Sequence, residues 1–320
     1  MRFRCCEYFL HELVFGQSEV IPCCCSPKHN YDTKFLQNYS GENFDISEYI
    51  RVKNKYIEMF KEGQIPSCCK DCSMIKENDW NDTESINRII ISNRTKCSCN
   101  CIYCSLVTTC TQTKEELNTR KAYNILPVLK DLRNKNLIKK DCEILIAGGE
   151  CCEYPKGELE EIIYIASSLN CKLEILSSGI IYSKAIENAL KSTRCTLKIS
   201  VDSGSKAVFE KIKRVKAYNN VWINLKRYIN YSKQNLNSNV TVKYIILPGI
   251  NDKLKEAKAF INKCRSINCE RIELTVEYLW LDKNKDNPIP IGIKKIVSYM
   301  KKSKIPITYE TQSKEYLQKI

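Results

Sequence analysis

The stretch that decides the fold runs from Ile86 to Cys104 and reads Ile-Asn-Arg-Ile-Ile-Ile-Ser-Asn-Arg-Thr-Lys-Cys-Ser-Cys-Asn-Cys-Ile-Tyr-Cys. Its first half is rich in isoleucine, which is typical of a short strand that is buried on both faces. Its second half places Cys97, Cys101 and Cys104 in the spacing C-x3-C-x2-C, with Tyr103 just before the last thiol. Three thiolates this close in sequence can converge on one soft metal centre. The stretch therefore predicts a strand that runs directly into a metal-binding loop.

The rest of the composition is that of an ordinary globular protein with an unusual number of thiols. At 320 residues the chain is long enough for one large α/β domain and a small appendage. Its 20 cysteines follow an N-terminus without an apolar signal segment, so we expect metal ligands and free thiols rather than disulfides. The sequence contains no apolar run of membrane-spanning length. These features predict a cytoplasmic protein without a membrane partner.

The formal net charge of +14 raises the question of a nucleic-acid partner. The lysines are spread along predicted helices, as in residues 130–140, and no arginine-rich segment is interleaved with aromatic residues. Such a distribution is typical of solvated helix faces. The charge pattern therefore disfavours nucleic acid as the partner, although it leaves an RNA-modifying enzyme open.

From Ile86 onward the sequence alternates between short apolar runs and amphipathic stretches. This alternation predicts βα units and hence a parallel sheet covered by helices. Six such units fit a partial (β/α)6 barrel of the TIM type, and a doubly wound open sheet is the less favoured alternative. The predicted strands are 86–92, 142–147, 172–177, 195–201, 240–247 and 270–277, and the predicted helices are 114–135, 156–169, 182–192, two pieces across 205–234, 253–268 and 290–303, before an extended end at 305–309.

Small and polar residues follow the predicted strands where each one ends. Because the carboxyl ends of parallel strands meet at one edge of a sheet, we expect the chemistry at that edge. Two adjacent glycines there let a ligand approach the backbone closely, and a following glutamate offers a carboxylate to an ammonium group. These strand ends read Gly148-Gly149-Glu150, Ser177-Ser178-Gly179, Ser200-Val-Asp202-Ser-Gly204 and Leu247-Pro-Gly-Ile-Asn-Asp252.

A second group of thiols lies in the first quarter of the chain. Residues 7–23 alternate apolar and polar side chains around Gly16, which predicts a hairpin, and residues 45–61 have helical periodicity. A module this small has little core of its own, so we expect a metal or cluster to stabilise it. The loops around these two elements carry thiols at Cys5/Cys6, Cys23/Cys24, Cys68/Cys69 and Cys72.

The cysteine loop fits two kinds of metal centre. Three thiolates can hold three irons of a four-iron cluster and leave the fourth iron open. A zinc knuckle that takes Cys99 or Cys110 as its fourth ligand is the alternative. For the N-terminal thiols, a zinc ribbon is likewise the alternative to a cluster. The Gly-Gly-Glu sequence after the next strand favours the cluster.

The combination of Cys97-Ser-Cys-Asn-Cys101-Ile-Tyr-Cys104 and Gly148-Gly149-Glu150, each after a strand, resembles the radical S-adenosylmethionine (SAM) superfamily over residues 86–280. The resemblance implies that Cys97, Cys101 and Cys104 hold a [4Fe-4S] cluster whose open iron binds SAM. It implies reductive cleavage of SAM to a 5′-deoxyadenosyl radical, with an electron donor such as flavodoxin or ferredoxin. The further residues implied for SAM are Tyr103 in the loop, Gly148 and Gly149 at the methionine end, Glu150 at the ammonium, Ser200 and Asp202 near the ribose or carboxylate, and Leu247 near the adenine.

The N-terminal cysteines resemble the SPASM/twitch auxiliary-cluster domains of the same superfamily. Those domains usually follow the barrel, whereas here the match precedes it. The resemblance implies that Cys6, Cys23, Cys69 and Cys72 hold one auxiliary [4Fe-4S] cluster. We therefore predict an auxiliary iron-sulfur module at residues 1–80 and a radical SAM partial barrel with a C-terminal helix at residues 81–320.

The resemblance also indicates which substrates to expect. SPASM-type enzymes often modify peptides or proteins, so the leading hypothesis is an enzyme that abstracts a hydrogen atom from a peptide. A sugar, another small molecule or RNA is the alternative substrate. A protein of another class, which binds zinc or a cluster and then binds nucleic acid or carries electrons, would explain the thiols and the charge. It would give no reason for Gly-Gly-Glu at a strand end.

Overall fold

The isoleucine-rich run after Ser85 forms a strand, and the strands that follow it along the chain pair in parallel. The computed structural model describes residues 2–17, 20–23, 45–70, 72–81, 84–108 and 112–320, so Cys24, Cys25 and Cys110 lie outside it. The strands are β1 (Arg2–Cys5), β2 (Glu12–Phe15), β3 (Val20–Ile21), β4 (Lys76–Asp79), β5 (Ile86–Ile91), β6 (Ile138–Ile146), β7 (Lys172–Ser177), β8 (Arg194–Ser200), β9 (Asn239–Ile246), β10 (Arg271–Val276) and β11 (Ile307–Tyr309).

Helices alternate with these strands from β5 onward. They are α1 (Glu7–His11), α2 (Ile46–Lys61), α3 (Ser105–Thr108), α4 (Lys114–Thr119), α5 (Leu126–Asn134), α6 (Glu158–Ser168), α7 (Lys184–Ser192), α8 (Lys206–Lys213), α9 (Tyr218–Ser232), α10 (Leu254–Ser266), α11 (Tyr278–Asn284), α12 (Ile291–Lys301) and α13 (Thr311–Gln318). None of the helices in the described ranges is long and apolar enough to cross a bilayer.

The chain forms two compact units. The first comprises Met1–Thr95, Thr119–Gly149 and Tyr154–Glu174, and the second comprises Lys96–Asn118, Glu150–Glu153 and Ile175–Ile320. The chain passes from the first unit into the second within β7.

In the first unit, the strand order is β6-β5-β2-β3. Strand β2 pairs in parallel with β5, where Leu13 lies opposite Ile89, and β3 closes this edge as a short antiparallel partner of β2. Ile89 and Ile91 on one face are fully buried and Ile90 on the opposite face is also buried, as expected for a run that packs on both faces. The isoleucine run therefore lies in the interior of this sheet, between β2 and β6.

Three of the N-terminal thiols of the first unit, those of Cys5, Cys6 and Cys69, belong to a small apolar core. Strands β1 and β4 form a separate antiparallel pair, and α2 begins after Asp45, whose side chain accepts a hydrogen bond from the backbone N–H of Ser47 at 2.8 Å. The rings of Phe9 and Phe60 meet edge to face at 5.5 Å. The core consists of Phe3, Cys5, Cys6, Phe9, Leu10, Ile57, Phe60, Cys69 and Trp80.

In the second unit, the strand order is β11-β10-β9-β8-β7, and β8 to β11 pair in parallel. One face is apolar and packs under helices, as where Tyr244 of β9 meets Phe260 of α10 at 4.8 Å between ring centroids. The other face carries charged residues in neighbouring strands. Glu273 forms ion pairs with Lys243 at 3.5 Å and with Lys198 at 2.9 Å. Successive side chains along these strands thus point alternately to an apolar and a polar face of the sheet.

Two predicted elements are wrong in part. Residues 7–11 form helix α1 rather than the first arm of a hairpin, and only β2 and β3 have the predicted antiparallel pairing. The predicted helix 114–135 is two helices, because α5 begins afresh with Asn124 as an acceptor for Leu126 N–H and with Pro127 in its first turn. Helices α11 and α13 and the pair of β1 with β4 were not predicted.

Candidate metal and cofactor site

The cysteine loop of the second unit is fastened to the end of α8 by its backbone. The N–H of Asn100 donates to the carbonyl of Lys213 at 3.0 Å, and the N–H of Ile102 donates to the carbonyl of Ile212 at 3.0 Å. After Cys104 the chain turns into α3, with the N–H of Val107 bonded to the carbonyl of Cys104 at 2.9 Å. These hydrogen bonds fix the backbone of the loop that carries the thiols.

Tyr103, Asp202 and Lys213 form a buried polar triad against the loop. The Tyr103 hydroxyl donates to Asp202 Oδ2 at 2.5 Å, and the ammonium of Lys213 lies 2.5 Å from both the same carboxylate oxygen and the Tyr103 hydroxyl. Asp202 is fully buried and Lys213 is 2% exposed. Burial, reinforced by the Asp202 charge, raises the pKa of Tyr103, so the tyrosine stays a neutral donor.

Asp202 itself is held by the ends of β8 and β9. It has a left-handed backbone, with φ of 63°, and its Oδ1 accepts the N–H of Ile245 at 2.8 Å. The side-chain amide of Asn251 donates to the carbonyls of Asp202 and Ile245, both at 2.7 Å. Both carboxylate oxygens of Asp202 therefore have protein partners.

The thiols of the loop differ in exposure and in acidity. Cys97, Cys101 and Cys104 are half-buried, whereas Cys99 is 3% exposed. The Cys99 thiol hydrogen-bonds to the sulfurs of Cys97 and Cys101; these bonds lower the pKa of Cys97 and, with help from Lys213, that of Cys101 to about 6. Burial raises the pKa of Cys104. Two of the three predicted ligands are therefore disposed to be thiolates, the form that binds metal.

The spacing of these sulfurs fits a cluster better than a single zinc ion. Around one tetrahedral zinc, four sulfurs stand about 3.8 Å apart, given a Zn–S distance of ~2.3 Å. Among the described residues, the group with three ligand atoms within 4.8 Å of one another is Glu150, Cys151 and Cys152, and no three thiols of the cysteine loop are that close. Thiolates that bind different irons of one cluster need no such closeness. The donor set of Cys97, Cys101 and Cys104 therefore fits a four-iron cluster.

Glu150 begins the turn that follows the two glycines, and it is 1% exposed. Its carboxylate accepts from the Ser177 hydroxyl at 2.8 Å and from the backbone N–H of Ser178 at 2.7 Å, and also from the Ser178 hydroxyl and the Cys152 N–H. A carboxylate has about four acceptor sites. Glu150 thus fastens the turn to the end of β7, and an incoming ammonium group would have to share these sites.

The same turn contacts the cysteine loop through Glu153. The backbone N–H and the hydroxyl of Ser98 donate to Glu153 Oε1 at 2.5 and 2.6 Å. The backbone N–H of Glu150 donates to the carbonyl of Lys96 at 2.7 Å. The structure therefore brings Glu150 and the predicted cluster ligands together in the second unit.

Gly148 and Gly149 belong to the first unit, where both have positive φ. A Cβ on Gly148 would stand 3.1 Å from the carbonyl oxygens of Ser92 and Arg94. The glycine therefore allows two backbone segments to approach closely.

The remaining predicted cofactor residues lie at strand ends in the second unit. Ser200 ends β8, half-buried, opposite Lys243 of β9. Leu247 follows β9 and is buried, and its backbone N–H donates to the Asn251 side chain at 2.7 Å. The roles of these residues towards SAM stay predictions.

The predicted auxiliary ligands are together in the first unit, in differing surroundings. Cys6 and Cys69 are buried in the apolar core beside Cys5, Cys23 is buried beside Val14, Ile21 and Ile90, and Cys72 is half-buried. Burial, together with the charges of Cys23 and Cys72, raises the pKa of Cys6 to about 11. Burial likewise raises the pKa of Cys5 to about 12. Both members of the first cysteine pair thus face the interior, and the choice between them stays open.

Sequence reasoning missed Lys213. It lies four residues after Phe209 in α8, and residues at that spacing share a helix face, so a lysine on the apolar face was the signal available. It also treated Asn251 only as part of a turn, although this buried side chain joins the ends of two strands.

The fold is that of radical SAM enzymes, which confirms the predicted fold class and, at the level of fold, the resemblance. Streptococcus suis SuiB bound to its precursor peptide SuiA is similar over 85% of this chain and 65% of its own, with a TM-score of 0.55 and 12% identity. SuiB bound to S-adenosylmethionine is similar over 82% of this chain and 55% of its own, with a TM-score of 0.52 and 12% identity. The enzyme anSMEcpe with bound AdoMet and Cp18Cys peptide is similar over 69% of this chain and 62% of its own, with a TM-score of 0.50 and 12% identity. No family profile and no curated protein matches the sequence.

Proposed function

We propose that the chain is a radical SAM enzyme in which Cys97, Cys101 and Cys104 hold a [4Fe-4S] cluster. The observation that carries the proposal is the cysteine loop, whose three half-buried thiols are fixed by backbone bonds to α8 within a fold similar to that of SuiB. When bound, the cluster and SAM supply the one-electron cleavage of a carbon–sulfur bond that yields a 5′-deoxyadenosyl radical.

The residues of the chain position and shield this chemistry. The cysteine loop supplies three thiolates and leaves one iron for the amino and carboxylate groups of SAM. The proposed contacts of SAM are Tyr103, Gly148, Gly149, Glu150, Ser200, Asp202 and Leu247. We expect the site to exclude bulk water once SAM and substrate are bound, which would protect a reactive radical from side reactions.

The proposed substrate is a peptide. SuiB was crystallised with a precursor peptide and anSMEcpe with the Cp18Cys peptide, and both share the fold. We also propose that Cys6, Cys23, Cys69 and Cys72 hold one auxiliary [4Fe-4S] cluster, because all four lie in the first unit, Cys6 and Cys69 share one core, and the charges of Cys23 and Cys72 act on Cys6. A flavodoxin or ferredoxin is the proposed electron donor.

Anaerobic purification followed by reduction with SAM tests the proposal. We expect about eight irons per chain, from two four-iron clusters, and release of 5′-deoxyadenosine. Stoichiometric zinc without SAM cleavage would instead support a non-catalytic zinc protein. Incubation with deuterium-labelled peptides, sugars or RNA would then separate the substrate classes, since only the true substrate gives a deuterium atom to the 5′-deoxyadenosyl radical and so labels 5′-deoxyadenosine.

A further inference from the structure

A buried lysine lies against the cysteine loop. The Lys213 ammonium is 2.5 Å from Asp202 Oδ2 and 5.1 Å from the centre of the Tyr103 ring. The preceding lysine of the same helix, Lys211, is exposed. Helix α8 thus places one lysine in water and the next in the interior beside the loop.

Stability alone gives little reason for this buried pair. Taking both charges out of water costs several kcal/mol per ion, and replacing such a pair with well-packed apolar groups is often neutral or stabilising. Lys213 sits on the buried face of α8 with Phe209 and Ile212, where apolar side chains are usual. The charges therefore call for a role other than packing.

The Lys213 charge acts on the loop thiols. Burial lowers the pKa of Lys213, but the charges of Asp202, Cys101 and Cys99 outweigh burial and raise it, so the side chain is a fixed cation. Lys213 also contacts the loop directly: its ammonium donates to the Tyr103 hydroxyl at 2.5 Å, and its carbonyl accepts the N–H of Asn100 at 3.0 Å. The ammonium thus lies within electrostatic reach of one proposed cluster ligand.

The geometry points to Lys213 as a positioning residue that sets the reduction potential of the cluster at Cys97, Cys101 and Cys104, with Asp202 as its counter-charge. This inference depends on the proposed function. A cluster gains a negative charge when it accepts an electron, and a buried cation stabilises that reduced form. Lys213 therefore raises the potential, and Asp202, which holds the ammonium in place, partly offsets it.

Redox titration followed by electron paramagnetic resonance tests the inference on the cluster-loaded full chain. The signal of interest is the one that changes when SAM is added. Lys213→Met should shift its midpoint to a more negative potential, and Asp202→Asn should shift it to a less negative one. Lys211→Met, which removes the same charge from the exposed side of α8, is the matched control and should leave the midpoint unchanged.

Opposite shifts in the two variants are a result that a merely structural role would not produce. Shifts in the same direction, no shift, or an equal shift in Lys211→Met would overturn the inference. If both single variants lose iron, the Asp202→Asn/Lys213→Met double variant is measured instead, because it leaves no unpaired charge. The inference expects the double variant to retain iron. Loss of iron from the double variant as well would overturn the inference. Absence of any SAM-sensitive signal in the unaltered protein would instead count against the proposed function.

Discussion

At the scale of single residues, Cys99 of the cysteine loop differs from the three proposed ligands beside it. Its thiol is buried and hydrogen-bonds to the sulfurs of Cys97 and Cys101. Those bonds raise the pKa of Cys99, so it remains a protonated donor while its neighbours become thiolates. The spacing alone leaves this distinction open, because C-x-C and C-x3-C are both compatible with metal binding, and it was the resemblance that implied Cys99 is not a ligand.

We expect Cys99→Ala to retain iron and SAM cleavage, because the substitution removes a hydrogen-bond donor and no ligand. Cys104→Ala, the matched change at a proposed ligand, should lose the SAM-sensitive cluster. Iron and sulfide content of the anaerobically purified variants measures this difference. Equal loss of iron from both variants would show that Cys99 is a ligand.

Glu187 gives the chain a pH-dependent contribution to stability. Bonds from Lys184, Lys191 and Tyr182 lower the pKa of this buried glutamate from 4.5 to about 2. Because the folded-state pKa is depressed, the stabilisation is complete above pH 4.5 and is lost as the pH falls towards 2.

We therefore expect Glu187→Gln to flatten the acid side of the stability curve between pH 4.5 and 2. Urea unfolding of the metal-free protein at several pH values measures the slope. Glu160→Gln, at an exposed position of α6, is the control and should keep the slope of the unaltered protein. A Glu187→Gln curve parallel to that of the control would contradict the assignment.

At the scale of elements, the ends of β8 and β9 are joined by side chains and by close backbone contact. Asn251 bonds to both strand ends, and Gly204 after β8 lies against α10. A Cβ on Gly204 would stand 2.1 Å from the backbone nitrogen of Phe260 and 2.5 Å from the carbonyl oxygen of Glu256. No side chain can be accommodated there without moving backbone.

Gly204→Ala should therefore lower the free energy of unfolding by about 3 kcal/mol or more, the upper range for overpacking. Gly249→Ala is the comparison, because Gly249 has a φ of 82° but open space at its Cβ, so only backbone strain of about 1–2 kcal/mol is expected. Urea unfolding of both variants measures the difference. A smaller loss for Gly204→Ala than for Gly249→Ala would mean that the contact with α10 is not rigid.

The elements that the sequence predicts best are those whose period is unambiguous. The six strands from β5 to β10 follow apolar runs with β-branched residues and were predicted. Residues 7–11 were not, because a five-residue helix beside a strand has too few turns for its period to differ from alternation. The break between α4 and α5 depends on local bonds at Asn124, which an apolar pattern does not record.

At the scale of the whole molecule, the strand ends that the sequence predicts as the site do come together in part. Tyr103, Glu150, Asp202 and the loop thiols all lie in the second unit. The sequence could mark Lys213 only as a lysine on an apolar helix face and gave no sign of the role of Asn251, because the partners of both residues are distant along the chain. The substrate is harder still to predict, since the chain spans 65% of the length of peptide-bound SuiB at 12% identity.

The measurement that tests the central claim most directly is SAM cleavage by a Cys97→Ala/Cys101→Ala/Cys104→Ala variant. Reduced anaerobically with SAM, the unaltered chain should form 5′-deoxyadenosine, whereas the triple variant should form none and should keep about four irons from the proposed auxiliary cluster. Retention of those irons would show that the variant has folded. If the triple variant still releases 5′-deoxyadenosine at the rate of the unaltered chain, the cysteine loop does not hold the catalytic cluster.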